Sequence, residues 1–284
     1  MRYYFYLVII FVACGSGLRN EPIIQQETAT SVSPIDTFSG LKEDSIMGVG
    51  VSLVQDFTDF HNASGTILVL PGWDFERHRW LDETKLRQYA KSHRYRLILP
   101  DMKRSIYATH FYPETTPAAK LDKTGKWVTD TFIPAIQKKY GLLKPGEKNY
   151  VLGLSTGGRG AVYCAWKLPK VFKAAATLSG DFDQTRLSND FLMISVYGTY
   201  AKNKLRWMHD DNLFNVADSI KVPLFIAHGE ADHVVPFSQS LEFYKKINQT
   251  NAHIKKDFVA GAGHDFKFWG GELPPVLDFF STLK

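Results

Sequence analysis

The sequence predicts an α/β protein with a doubly wound, mostly parallel sheet and a small cap insertion. Three observations carry this expectation. Short apolar runs alternate with amphipathic stretches of helical spacing, and the alternation continues from residue 49 to the end of the chain. Runs such as 66–70 have no polar phase, as expected of strands covered on both faces. The 284 residues are 44% hydrophobic and 22% charged, the balance of a globular protein rather than of a disordered, collagen-like or polytopic membrane chain. That length suits one large α/β domain or two small ones, and the order of motifs along the chain favours one. The net charge of +5 arises from 34 basic and 29 acidic residues scattered along the chain, so no nucleic-acid partner is expected.

The first element is an apolar run, 3–13, preceded by a single cation, Arg2. It is far shorter than the roughly 20 residues that span a bilayer and suits the apolar region of a secretion signal. The run closes on Phe11-Val12-Ala13-Cys14, followed by Gly15-Ser16-Gly17. Small residues around a cysteine resemble a bacterial lipoprotein signal, in which that cysteine carries the lipid; Phe11 stands where that family usually has Leu. Residues 1–19 are therefore expected to form a signal peptide with lipidation at Cys14, the alternatives being a plainly cleaved signal or an uncleaved anchor. An exported cell-envelope location follows, or a periplasmic or secreted one if the signal is simply cleaved. Cys164, the other cysteine, would then be unpaired and is expected to be buried. Residues 20–45 are polar, with Pro22 and Pro34, and read as a flexible tether to a domain at 46–284.

Within that domain, 49–57, 66–70, 96–99, 149–154, 174–178, 223–227 and 255–259 read as strands. Helical spacing covers 80–92, 126–140 with an interruption at Pro134, 157–168, 238–248 and 274–283. Between 181 and 218 the alternation lapses into a stretch rich in large apolar residues. It is either a cap over the cleft or a further helix pair on the sheet.

Gly153-Leu154-Ser155-Thr156-Gly157 has the form G-x-S-x-G, with strand 149–154 entering it and a helix leaving it. A serine on so tight a turn needs neighbours without side chains, which Gly153 and Gly157 provide, and the helix start offers free N–H groups to an anion. A serine hydroxyl needs a base, and the base needs an orienting acid. His264 lies in a glycine-rich loop, Gly261-Ala262-Gly263-His264-Asp265, between the last strand and the last helix. Asp232, in His228-Gly229-Glu230-Ala231-Asp232-His233-Val234-Val235-Pro236, follows the strand 223–227 and is the preferred acid, with Glu230 as its rival; His228 and His233 read as structural.

The order Ser155, Asp232, His264 resembles the α/β-hydrolase superfamily over residues 49–284. The segment 153–161 is similar to the nucleophile segment of the esterase D, feruloyl esterase and acetyl xylan esterase group; 228–236 resembles the acid loop shared by carboxylesterases and the prolyl oligopeptidase group. The resemblance implies an oxyanion hole made by the backbone N–H groups of Thr156 and of Trp73, which ends Leu70-Pro71-Gly72-Trp73; the usual His-Gly there is Pro71-Gly72 in this chain. It implies a serine carboxylesterase working through an acyl-enzyme on a small ester or an acylated carbohydrate. A prolyl oligopeptidase-like peptidase is the alternative, disfavoured because about 45 residues ahead of the domain are too few for a propeller; a binding lipoprotein on a hydrolase scaffold is the third. Trp73, Tyr107, Tyr112, Tyr200, Trp207, Phe266 and Trp269 are expected to rim the cleft, with Trp207, Phe266 and Trp269 lining the substrate. No metal or other cofactor is expected, since the histidines lack ligand spacing and no phosphate-binding loop is present.

Overall fold

The computed structural model describes residues 38–209 and 211–283. The expected signal, the lipidation site Cys14 and most of the expected tether lie outside the described residues. In chain order the elements are β1 (Gly40–Ile46), β2 (Val49–Gln55), β3 (Gly65–Leu70), α1 (Arg79–Asp82), α2 (Leu86–His93) and β4 (Tyr95–Pro100). They continue with α3 (Gly125–Trp127), α4 (Ile133–Tyr140), β5 (Asn149–Leu154), α5 (Thr156–Lys167), β6 (Ala174–Leu178), α6 (Phe191–Tyr197) and α7 (Tyr200–His209). Then follow β7 (Leu224–Gly229), α8 (Ser238–Ile247), β8 (Ile254–Val259), α9 (Phe266–Gly271) and α10 (Leu273–Thr282).

The eight strands form one sheet in the order β1-β2-β4-β3-β5-β6-β7-β8. β1 pairs antiparallel with β2 and β2 antiparallel with β4, while every other pair is parallel. The chain therefore winds outward from β3 in both directions, and the carboxyl ends of β3 and β5 form the switch point, where sheets of this kind build their sites.

Alternate residues of each strand feed two cores, one on each face of the sheet. Leu68, Leu70, Val151, Leu224 and Ile226 join α4, α5 and α8 on one side. Ile67, Val69, Leu152, Leu154, Phe225 and Ala227 join α2, α9 and α10 on the other. A run such as Ile67–Leu70 is thus apolar at every position because both of its faces are covered. Cys164 sits in the first core, fully buried, with burial raising its thiol pKa far above the ordinary value.

Three expectations change. The stretch read as tether ends earlier, because Gly40–Ile46 is strand β1. Its Lys42-Glu43-Asp44 carries the charges of a sheet edge rather than of a linker, with Glu43 paired to Arg77 at 2.8 Å and Asp44 to Lys139 at 2.6 Å. The helix expected at 80–92 is broken into α1 and α2, where the Thr84 hydroxyl takes the Leu86 N–H and donates to the Trp80 carbonyl. Pro134 does not break the 126–140 helix. A π-turn at Val128–Phe132 precedes it, and Pro134 falls in the first turn of α4, where no N–H is required.

The 181–218 insertion holds α6 and α7. Met193, Val196, Tyr197 and Trp207 of these helices join Ile106, Ala108 and Tyr112, from the long loop after β4, in a third apolar cluster separate from the two sheet faces. Arg159 of α5 ties the insertion to the sheet. Its guanidinium, 1% exposed, donates to Asp181 at 2.8 Å, to the Tyr197 hydroxyl at 2.9 Å and to the Asp211 carbonyl at 3.0 Å.

Candidate active site

Ser155 occupies the turn between β5 and α5 with φ 54° and ψ −127°, a left-handed conformation that side chains rarely adopt. Its neighbours explain how the chain tolerates it. A Cβ on Gly153 would meet the Gly157 carbonyl at 1.9 Å, and one on Gly157 would meet the carbonyls of Leu70 and Pro71 at 2.5 Å. The second contact matters for chemistry, because it brings the β3 turn directly against the start of α5. Gly72 completes the approach: a Cβ there would lie 3.2 Å from the Cβ of Ser155.

His264 reaches the serine from the loop between β8 and α9. Its Nε2 lies 3.0 Å from Ser155 Oγ, and its Nδ1 lies 2.6 Å from Asp232 Oδ2. Because a carboxylate only accepts, Nδ1 carries the proton, leaving the Nε2 lone pair to accept the serine O–H. Asp232 is held from several sides. Its Oδ1 accepts the N–H groups of Val234 at 2.8 Å and Val235 at 2.9 Å, while Oδ2 also faces His228 Nε2 at 3.2 Å. Burial by itself would raise the Asp232 pKa, but the hydrogen bonds from His228 and His264, the His264 charge and the Val235 amide outweigh it. The carboxyl lies well below the usual carboxylate range and is ionised at neutral pH. Glu230, the rival acid, is exposed at the end of β7.

His228 is the residue whose part the sequence reading missed. It is completely buried, its Nδ1 2.7 Å from Ser240 Oγ and its Nε2 3.0 Å from the Val235 carbonyl. With Nε2 facing two acceptors it must donate there, which fixes the ring and steadies Asp232. The spacing His-x-x-x-Asp at the end of a strand is the signal that would have found it.

The Trp73 and Thr156 N–H groups have no acceptor among the described residues. They come from the two segments brought together at Gly157 and Gly72, beside Ser155. Two free N–H donors at such a place suit a developing oxyanion.

Several aromatic assignments need correction. Trp207 is fully buried in the insertion's own cluster, its indole N–H given to the Gly198 carbonyl at 3.0 Å, so it lines no cleft. Phe266 is buried against Phe75, Trp80 and Trp269. Trp269 is 1% exposed and stands edge-on to His264 at 4.9 Å, its Nε1 donating to Ser179 Oγ at 3.1 Å; it supports the histidine ring rather than a substrate. The apolar patterning that marks such residues as aromatic and near the site is the same patterning that buries them. By contrast, the half-buried Trp73 does border an open cavity next to the β3 turn, whereas the Tyr107 ring, expected at the rim, is fully buried in the first core with its hydroxyl donating to the Pro71 carbonyl at 2.8 Å.

Comparison with known proteins gives a consistent picture. Residues 122–280 match the model of the prolyl oligopeptidase family. No curated protein matches the sequence significantly. Among solved structures, the chain is similar to a substrate-bound fluorophosphonate-binding serine hydrolase, FphF, of Staphylococcus aureus, with TM-score 0.65, 18% identity, and coverage of 86% of this chain and 97% of that one. It is similar to an S-formylglutathione hydrolase from Agrobacterium tumefaciens, with TM-score 0.67, 14% identity, and coverage of 86% and 93%. It also resembles a puromycin hydrolase, with TM-score 0.64, 14% identity, and coverage of 89% of this chain but 40% of that one. At these identities the solved structures establish the α/β-hydrolase fold.

Proposed function

Starting from a chain that belongs to the prolyl oligopeptidase family and is a serine hydrolase, we propose that it is a carboxylesterase acting through Ser155, His264 and Asp232. The observation that carries the reading is the continuous row from Ser155 Oγ to His264 at 3.0 Å and from His264 to Asp232 at 2.6 Å. His264 Nε2 takes the hydroxyl proton as Oγ attacks the ester carbonyl, and the N–H groups of Trp73 and Thr156 hold the oxyanion. The imidazolium, steadied by ionised Asp232, then passes its proton to the departing alcohol. Water, activated in turn by His264, releases the acid from Ser155.

The ester reading draws support from the likeness to an S-formylglutathione hydrolase and to a ferulic acid esterase, each over 86% of this chain. Small esters and acylated carbohydrates are the substrate classes this reading offers, with Cys14 as a lipid anchor holding the domain at a membrane surface. Purified protein should hydrolyse short-chain nitrophenyl esters, and Ser155→Ala should lower kcat by about 10⁴-fold or more with an unchanged fold. Retained turnover in that variant refutes the assignment, and faster cleavage of proline-containing peptides than of esters moves the enzyme to the peptidase reading. For the anchor, Cys14→Ser should shift the protein from the membrane to the soluble fraction, and unchanged partition removes the proposal.

A further inference from the structure

Beside the β3 turn the fold leaves a cavity of ≈ 360 Å³. Three segments wall it: Trp73 from the turn itself, Ile106, Ala108 and Phe111 from the loop after β4, and Leu192 and Val196 from α6. Trp73 connects it to the reacting serine, because its chain neighbour Gly72 lies directly against Ser155. We infer that this cavity receives the acyl group of the substrate, and that this group is uncharged, apolar and much larger than acetyl. The inference rests on the ester-hydrolysis reading above and names the substrate class for it.

The direction follows from the geometry of a tetrahedral carbon on Ser155 Oγ. Its oxyanion points to the N–H groups of Trp73 and Thr156. Its leaving oxygen must face His264 Nε2, since that nitrogen delivers the proton. The one substituent left is the acyl chain. The cavity has no wall from the 260–265 loop that bears His264 or from the 230–236 loop that bears Asp232. It therefore lies away from the leaving group, on the Trp73 side.

The chemical class follows from the walls. Of the charged groups at the cavity, Arg104 and Asp122 are engaged with neighbours, while Lys123 makes a ring contact only. Arg104 lies 3.4 Å from Asp74 and over the Trp73 ring at 5.7 Å, Asp122 accepts the Arg104 N–H at 3.3 Å, and Lys123 lies over the Trp127 ring at 5.4 Å. A charged acyl group entering among Ile106, Ala108 and Val196 would lose its hydration against apolar walls, whereas an apolar one is favoured for every methylene it buries. Size follows from volume. A cavity of about 150 Å³ holds benzene, so this one has room for roughly ten heavy atoms, a ring with a short chain or a medium-length alkyl group. Phe191, 66% exposed and edge-on to Trp73 at 5.9 Å, stands at the mouth, an apolar side chain left in solvent where such a group would pass.

The test varies the two halves of the ester separately. With nitrophenol as the fixed leaving group, kcat/KM should rise by about tenfold or more from acetate to octanoate or phenylpropanoate and fall for the charged succinate monoester. With acetate as the fixed acyl group, a series of alcohols of increasing size should give nearly constant kcat/KM. Leu192→Trp and Ala119→Phe, two wall residues that are only half-buried, should fill the cavity. Each should raise KM for the long esters by about tenfold while leaving acetate turnover within about twofold. A flat acyl series with a steep alcohol series assigns the cavity to the leaving group and overturns the inference. So do filled variants that treat all acyl lengths as the parent does, or a preference for the succinate ester. Absence of acetate hydrolysis by the parent protein is a separate result, which removes the ester reading itself.

Discussion

Replacing Arg159 with methionine should test how the insertion is held to the nucleophile helix. The guanidinium is buried between two carboxylates, bonded to Asp181 at 2.8 Å, and its Tyr197 partner in turn donates to Asp211 at 2.9 Å. Burial by itself would lower the Arg159 pKa, yet Tyr197, Asp181 and Asp211 hold it above the ordinary value, so the group is charged at any accessible pH. Methionine preserves much of the side-chain volume but leaves Asp181, 2% exposed, as a buried carboxylate without its cation. Removing one partner of such a pair costs about 3–5 kcal/mol. For a domain of this size each kcal/mol moves Tm by about 2–4 °C, so the fall should be about 6–20 °C in a thermal melt. The pair Arg159→Met/Asp181→Leu should recover part of it, because one of the two flanking carboxylates leaves with the cation while buried Asp211 stays. A single variant melting within about 2 °C of the parent, or a double variant no better than the single, would refute the view that Arg159 is an ion-paired tie.

Glu272 is buried, with Oε2 lacking a partner among the described residues, and burial followed by the Asp257 charge pushes its pKa up to about 7. A raised carboxyl contributes stability that is complete below its ordinary pKa and lost as pH rises through the folded value. The parent Tm should therefore fall between about pH 5 and pH 8 by a few degrees more than that of Glu272→Gln, and parallel profiles would count against it. Gly157→Ala places a methyl 2.5 Å from the Leu70 and Pro71 carbonyls, displacing the β3 turn from Ser155. Ester hydrolysis should drop about 100-fold with an unchanged circular dichroism spectrum, and activity within about threefold of the parent would mean the turn yields freely. Cys164, fully buried with its thiol pKa raised by burial, should resist thiol reagents in the native state and react only after unfolding, as read by peptide mapping; rapid native labelling would contradict the burial.

Much of this site is written in local sequence. A strand running into Gly153-Leu154-Ser155-Thr156-Gly157 and out into a helix needs only neighbours within a few residues to form, and the clearance its glycines supply is a property of the backbone at that turn. Asp232 and His264 were likewise legible, because each follows a strand of a parallel sheet and such strands all end on one side. The edge strand β1 was not legible. It carries charges on both faces, Glu43 at an exposed position and Lys42 and Asp44 at half-buried ones, and a sheet edge and a linker share that composition.

The aromatic residues divide along the same line. Composition marks Trp73, Trp207, Phe266 and Trp269 as equally apolar, but their surroundings differ: Trp73 meets Phe191 and Trp269 meets Ser179 from distant segments, while Trp207 packs on Tyr197 and Tyr200 of its own insertion. The sequence by itself determined the winding of the sheet, the turn that bears Ser155 and the places of Asp232 and His264 after their strands, because those depend on short-range pattern and chain order. Only the tertiary structure decided which aromatic groups are core and which border open space. That outcome depends on how distant segments pack, as where Trp73 meets Phe191 and Trp269 meets Ser179, and no local pattern encodes such contacts.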